Sequence, residues 1–157
     1  MLRLAGFDIV FQEVPGEVTL ALNLSGCPNG CAGCHSPHLQ GEVGEVLDEG
    51  LLAGLIAQYG GAVTCVCFMG GDREPEEVER LARVVKTESG GRLKTGWYSG
   101  RQQFPAGCSW SSFDFVKLGP YVERLGGLDS ATTNQVFYKI ENEAVSDITE
   151  YFRKRTT

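Results

Sequence analysis

Three cysteines fall within eight residues, Cys27, Cys31 and Cys34, in the segment SGCPNGCAGCHSP. The segment follows at once on the apolar run VTLALNL at residues 18–24. This pairing constrains the fold more than any other feature, because a core strand empties into a glycine-rich loop that carries three thiolates. The spacing C-x3-C-x2-C lets one loop wrap one small inorganic core. A [4Fe–4S] cluster takes four cysteines as a rule. No fourth cysteine is adjacent, so one iron keeps an open position, the mark of a catalytic metal rather than a closed structural one. Gly30 and Gly33 let the backbone approach the sulfurs, where N–H groups tune the potential.

Composition sets the surroundings. A chain of 157 residues is long enough for one domain with its own core, and we read residues 1–157 as a single domain. The formal net charge of −6, with no basic block, argues against nucleic acid as a partner. No apolar run approaches the ~20 residues needed to cross a bilayer. The start of the chain alternates and carries acids, unlike a signal peptide. The expectation is a cytoplasmic protein with no membrane partner. Structural disulfides are rare in that compartment. Cys65 and Cys67, in AVTCVCFM, share one face of a strand and read as small core hydrophobes. Cys108 stands alone and receives no role.

Elements follow from periodicity. Strand-like runs lie around residues 7–11 and 18–24. Asp48 caps a helix whose apolar face is Leu51, Leu52, Leu55, Ile56 and Tyr59, ended by Gly60 and Gly61. Residues 62–69 form a buried strand. Gly70, Gly71 and Asp72 turn into a second helix, with Pro75 in its first turn beside Glu74, Glu76 and Glu77. Its stripe is Val78, Leu81, Ala82, Val84 and Val85, and Gly90-Gly91 closes it. Strands follow at 93–98, 113–118 and 136–140, and the tail 146–155 reads as helix. This alternation predicts an α/β fold with parallel strands and helical crossovers. Ligands of such folds gather at the carboxyl ends of the strands. The cysteine loop, the Gly70-Gly71-Asp72 turn and the Tyr98-Ser99-Gly100 turn would share that rim.

The stretches VTLALNLSGCPNGCAGCHSP, CVCFMGGD, GWYSGR, FVKLGPY and TTNQVFYKIEN resemble radical S-adenosylmethionine enzymes. Within that superfamily they are similar to the glycyl radical enzyme activases that serve anaerobic ribonucleoside-triphosphate reductase. The similarity runs from about Leu2 to Lys154. It implies an incomplete, TIM-like βα barrel with helices outside, since a full barrel takes ~250 residues. It also implies an oxidoreductase activity: reductive cleavage of S-adenosylmethionine at a [4Fe–4S] cluster, yielding a 5′-deoxyadenosyl radical that takes a hydrogen from a glycine of the reductase. The implied partners are the large catalytic subunit of anaerobic ribonucleotide reductase and an electron donor such as flavodoxin or ferredoxin. The chain has no Arg-Val-x-Gly-Tyr-like segment of its own, which suits an activator.

The resemblance also implies roles. Cys27, Cys31 and Cys34 ligate the cluster. Gly70 and Gly71 pass the methionyl part of the cofactor, and Asp72 accepts a hydrogen bond from its ammonium group. The plainer reading of Gly70-Gly71-Asp72 is a strand-to-helix turn with Asp72 as a cap. Gly33, Cys34 and His35 flank the adenine. Gly33 departs from the superfamily, which places an aromatic residue there, so the adenine contact passes to His35 or Tyr98. His35 and His38 read either as polar loop residues or as a fourth ligand. Ser99 is a ribose contact or a turn former. Lys117 reaches a carboxylate on the rim or is a surface or salt-bridged lysine. Two other functions fit the cysteines: a structural zinc module closed by His35 or His38, and a small iron–sulfur electron-transfer protein.

Overall fold

The structure, a computed structural model, describes residues 2–25 and 44–154. Eight strands form one open sheet in the order β3-β1-β2-β4-β5-β6-β7-β8. They are β1 Arg3–Val10, β2 Thr19–Leu24, β3 Glu45–Val46, β4 Cys65–Met69, β5 Lys94–Tyr98, β6 Phe115–Leu118, β7 Val136–Glu141 and β8 Ala144–Asp147. The helices are α1 Glu49–Tyr59, α2 Pro75–Glu88 and α3 Glu150–Lys154.

The four central strands β2, β4, β5 and β6 are parallel. Both flanks are antiparallel, which corrects the expectation of an all-parallel sheet. The reason at the first flank is connection length. A parallel crossover needs about a dozen residues or more, and residues 11–18 are too few, so β1 and β2 form an antiparallel pair. The last flank is a hairpin. Asn142 and Glu143 turn with φ of 50° and 69°, which brings Glu141 opposite Ala144. The expected helix over 146–155 therefore begins later: Ser146 and Asp147 belong to β8, and only Glu150–Lys154 is helical.

The two main helices follow their sequence signals. The Asp48 carboxylate accepts the Leu51 N–H at 2.8 Å and caps α1. Leu52, Leu55 and Ile56 are buried beneath it. In α2, Pro75 opens the helix and Val78, Leu81, Ala82 and Val85 are buried, while Val84 packs from the margin. α1 and α2 pack on each other, and α2 packs on β5.

Alternation along the strands divides the core in two. Leu20, Leu22, Leu24, Val66, Phe68, Trp97, Val116 and Leu118 join the helices in the larger cluster. Cys65, Cys67, Phe115 and Phe137 face the other way and are covered by Val14 and Phe152. Both thiols are fully buried, as expected of small core residues. Burial pushes the Cys65 thiol up to about 12 and raises that of Cys67 as well. Among the described residues, no helix is long and apolar enough to cross a membrane.

Candidate functional site

Because β2, β4, β5 and β6 run the same way, their carboxyl ends lie along one rim. β4 ends at Met69 and turns at Gly70-Gly71-Asp72; β5 ends at Tyr98 and turns at Ser99-Gly100-Arg101; β6 ends at Leu118 and turns at Gly119. β2 ends on the same rim at Leu24, two residues before the segment 26–43. Ser25 donates its N–H to Arg3 O at 3.0 Å, and β3 returns antiparallel to β1, so both ends of that segment are anchored on β1. Cys27, Cys31, Gly33, Cys34, His35 and His38 lie outside the described residues.

The two glycines are required by the turn itself. Gly70 and Gly71 have φ of +110° and +85°. A Cβ on Gly71 would stand 2.6 Å from Val78 Cγ2, and one on Gly70 would stand 3.2 Å from Leu24 O. The chain thus passes the end of β2 as bare backbone. The turn is fastened to its neighbour by two bonds: Gly70 N–H donates to Tyr98 O at 2.9 Å, and Trp97 Nε1 donates to Gly70 O at 2.7 Å.

Asp72 is 1% exposed. Its Oδ1 accepts the Ser99 hydroxyl at 2.6 Å, and its Oδ2 accepts the Gly100 N–H at 2.9 Å. It does not cap α2, whose N-cap position is Glu74, with no side-chain cap bond. Ser99 is fully buried, and its Oγ accepts the Arg101 N–H at 3.1 Å. Arg101 closes the network: Nη2 donates to Asp72 O at 2.6 Å, and its carbonyl accepts the Gly119 N–H at 2.6 Å. Three rim turns are thereby stitched together through Asp72, Ser99 and Arg101.

Of the readings open for Lys117, burial removes only that of a surface lysine. Lys117 is 8% exposed, with Nζ donating to Gly119 O at 3.0 Å and standing 5.6 Å from the centroid of the Tyr98 ring. Tyr98 in turn donates its hydroxyl to Glu13 O and meets Phe137 edge-on at 5.9 Å. Sequence patterns do not single out Arg101 and Gly119 beyond their place in GWYSGR and FVKLGPY. The available signal is position: each lies within three residues of the end of a core strand, next to a glycine or a proline. Among the described residues, no group of three or more His, Cys, Asp or Glu side chains could hold a metal ion. Searches against protein-family models, curated proteins and solved structures find no match to this chain.

Proposed function

We propose that the chain is a radical S-adenosylmethionine activating enzyme that generates a glycyl radical on anaerobic ribonucleoside-triphosphate reductase. The observation that supports this most is the shared rim: the strand before the cysteine segment is parallel to the strand before Gly70-Gly71-Asp72, with which it pairs directly. A ligand gripped by the cysteine segment would therefore meet the Gly70-Gly71 turn. The donor set fits the group. Cys27, Cys31 and Cys34 supply three thiolates, which suits a [4Fe–4S] cluster with one open iron. When bound, that cluster supplies the electron that cleaves the sulfonium bond of S-adenosylmethionine.

The chain's own residues bind and orient. Gly70 and Gly71 present main chain, with no side chain between it and the methionyl part. Ser99 and Gly100 hold the neighbouring turn, and Gly33, Cys34 and His35 flank the adenine. In this reading the central parallel strands with α1 and α2 on one side are the wall of a shallow, incomplete barrel. Its open side gives the reductase glycine access to the cofactor while the pair excludes water.

The test is an anaerobic assay with the reductase subunit, S-adenosylmethionine and reduced flavodoxin. The expected result is a glycyl radical signal by electron paramagnetic resonance, absent with Cys31→Ala although that variant keeps its circular dichroism. A Cys31→Ala chain that unfolds favours a structural zinc module. Equal radical yield from Cys31→Ala contradicts the reading.

A further inference from the structure

We infer that the rim presents Arg101, and not the Asp72 carboxylate, to its ligand, and that Arg101 is the receptor for a carboxylate group. The inference rests on the reading of the rim as a ligand site and changes which charge meets the ligand. Asp72 is turned inward. It is 1% exposed, and both oxygens already accept hydrogen bonds from this chain, one from the Ser99 hydroxyl and one from the Gly100 N–H. An ammonium group arriving from outside would find this carboxylate buried and engaged. Asp72 is a positioning residue.

What it positions is Arg101. The arginine main chain is held on both sides, by Ser99 Oγ on its N–H and by the Gly119 N–H on its carbonyl. One corner of the guanidinium is fixed as well, through Nη2 to Asp72 O at 2.6 Å. Yet the residue is exposed. Of the five guanidinium N–H donors, the Nη2 bond occupies one. Among the described residues, Arg80 and Arg83 each pair with glutamates, and Arg101 has no ion pair. An exposed guanidinium tethered at one nitrogen fits a planar two-oxygen anion.

The charge of that anion is single. A phosphate dianion draws on several cations or on a helix N-terminus. Here the first turn of α2 carries Glu76 and Glu77, which repel it. A carboxylate needs only the one arginine. It can come from the amino-acid end of S-adenosylmethionine or from an acidic side chain of the docked reductase.

The full chain, labelled with 15N-arginine and free of iron, is titrated with acetate and with methylammonium, and the arginine Nε–H signals are followed by NMR. The expected result is a saturable shift of Arg101 with acetate, larger than that of Arg124, and none with methylammonium. An Arg101 response no larger than that of Arg124 overturns the inference, whatever the fate of the radical reading. In the reconstituted protein, calorimetry then compares S-adenosylmethionine with 5′-methylthioadenosine, which lacks the amino-acid end. If Arg101→Gln weakens the first by roughly tenfold and leaves the second unchanged, the carboxylate is the cofactor's, as loss of a charged hydrogen bond requires. If both are unchanged and association with the reductase subunit weakens instead, the carboxylate is the partner's. Equal losses for both nucleosides mean that Arg101 only shapes the rim, and sink the inference. A wild-type chain that takes up no iron removes the proposed function, and the acetate titration then decides the Arg101 inference by itself.

Discussion

Asp72 shows what one residue contributes to this site and what the sequence leaves open about it. Gly70-Gly71-Asp72 is legible as a turn because two glycines follow a buried apolar run. The direction of the carboxylate is not legible, because its partner Ser99 lies 27 residues away. The same holds for Lys117, whose burial depends on Tyr98 from a neighbouring strand and on the Gly119 carbonyl. A buried carboxylate that loses a donor keeps its desolvation cost. Asp72→Ala and Ser99→Ala should therefore each destabilise the iron-free chain by about 1 to 3 kcal/mol. Because both remove the same bond, the double variant should lose clearly less than the sum. Urea unfolding of the four proteins measures this. Strict additivity would mean that Asp72 and Ser99 act apart, and the rim would lose its fastening.

Elements with local signals are legible in the sequence. Asp48 caps α1, Pro75 opens α2, and the buried run ending at Met69 is a strand, since each signal lies within a few residues of its effect. Strand direction at the two flanks is harder to read. The short link between β1 and β2 argues for an antiparallel pair, against the alternating α/β pattern of the rest of the chain. The hairpin at Asn142-Glu143 has no glycine to announce it, so the sequence pattern runs β8 into the tail helix. β4 carries a testable consequence of its alternation, which aims Cys65 and Cys67 into the same apolar layer. Burial raises the Cys65 thiol from 9.0 to about 12. Below pH 9 the thiol is protonated folded and unfolded, and its contribution to stability is fully present. As pH rises from 9 toward 12, the unfolded chain releases the proton first, and that contribution is lost. Urea midpoints should therefore fall between pH 8 and pH 10.5, and fall less in Cys65→Ala. Iodoacetamide at pH 8 should label Cys108 well before Cys65 and Cys67; equal labelling of all three would mean that β4 is not buried.

The whole molecule is an open mixed sheet whose parallel centre delivers three described turns and the start of the cysteine segment to one rim. That convergence is legible, because a strand–loop–helix–strand order fixes which ends of parallel strands are neighbours. The closure of the sheet is legible only in part. The antiparallel flanks turn on the short β1–β2 link and on the glycine-free Asn142-Glu143 hairpin, which the alternating pattern of the centre does not announce. The molecule matters for chemistry only if the rim holds a redox-active cluster beside S-adenosylmethionine. The most direct measurement is made on the chain alone, reconstituted anaerobically with iron and sulfide, reduced, and given S-adenosylmethionine. The expected result is 5′-deoxyadenosine and methionine in equal amounts, with iron and sulfide retained by the protein. Zinc as the bound metal, with no 5′-deoxyadenosine formed, would contradict it.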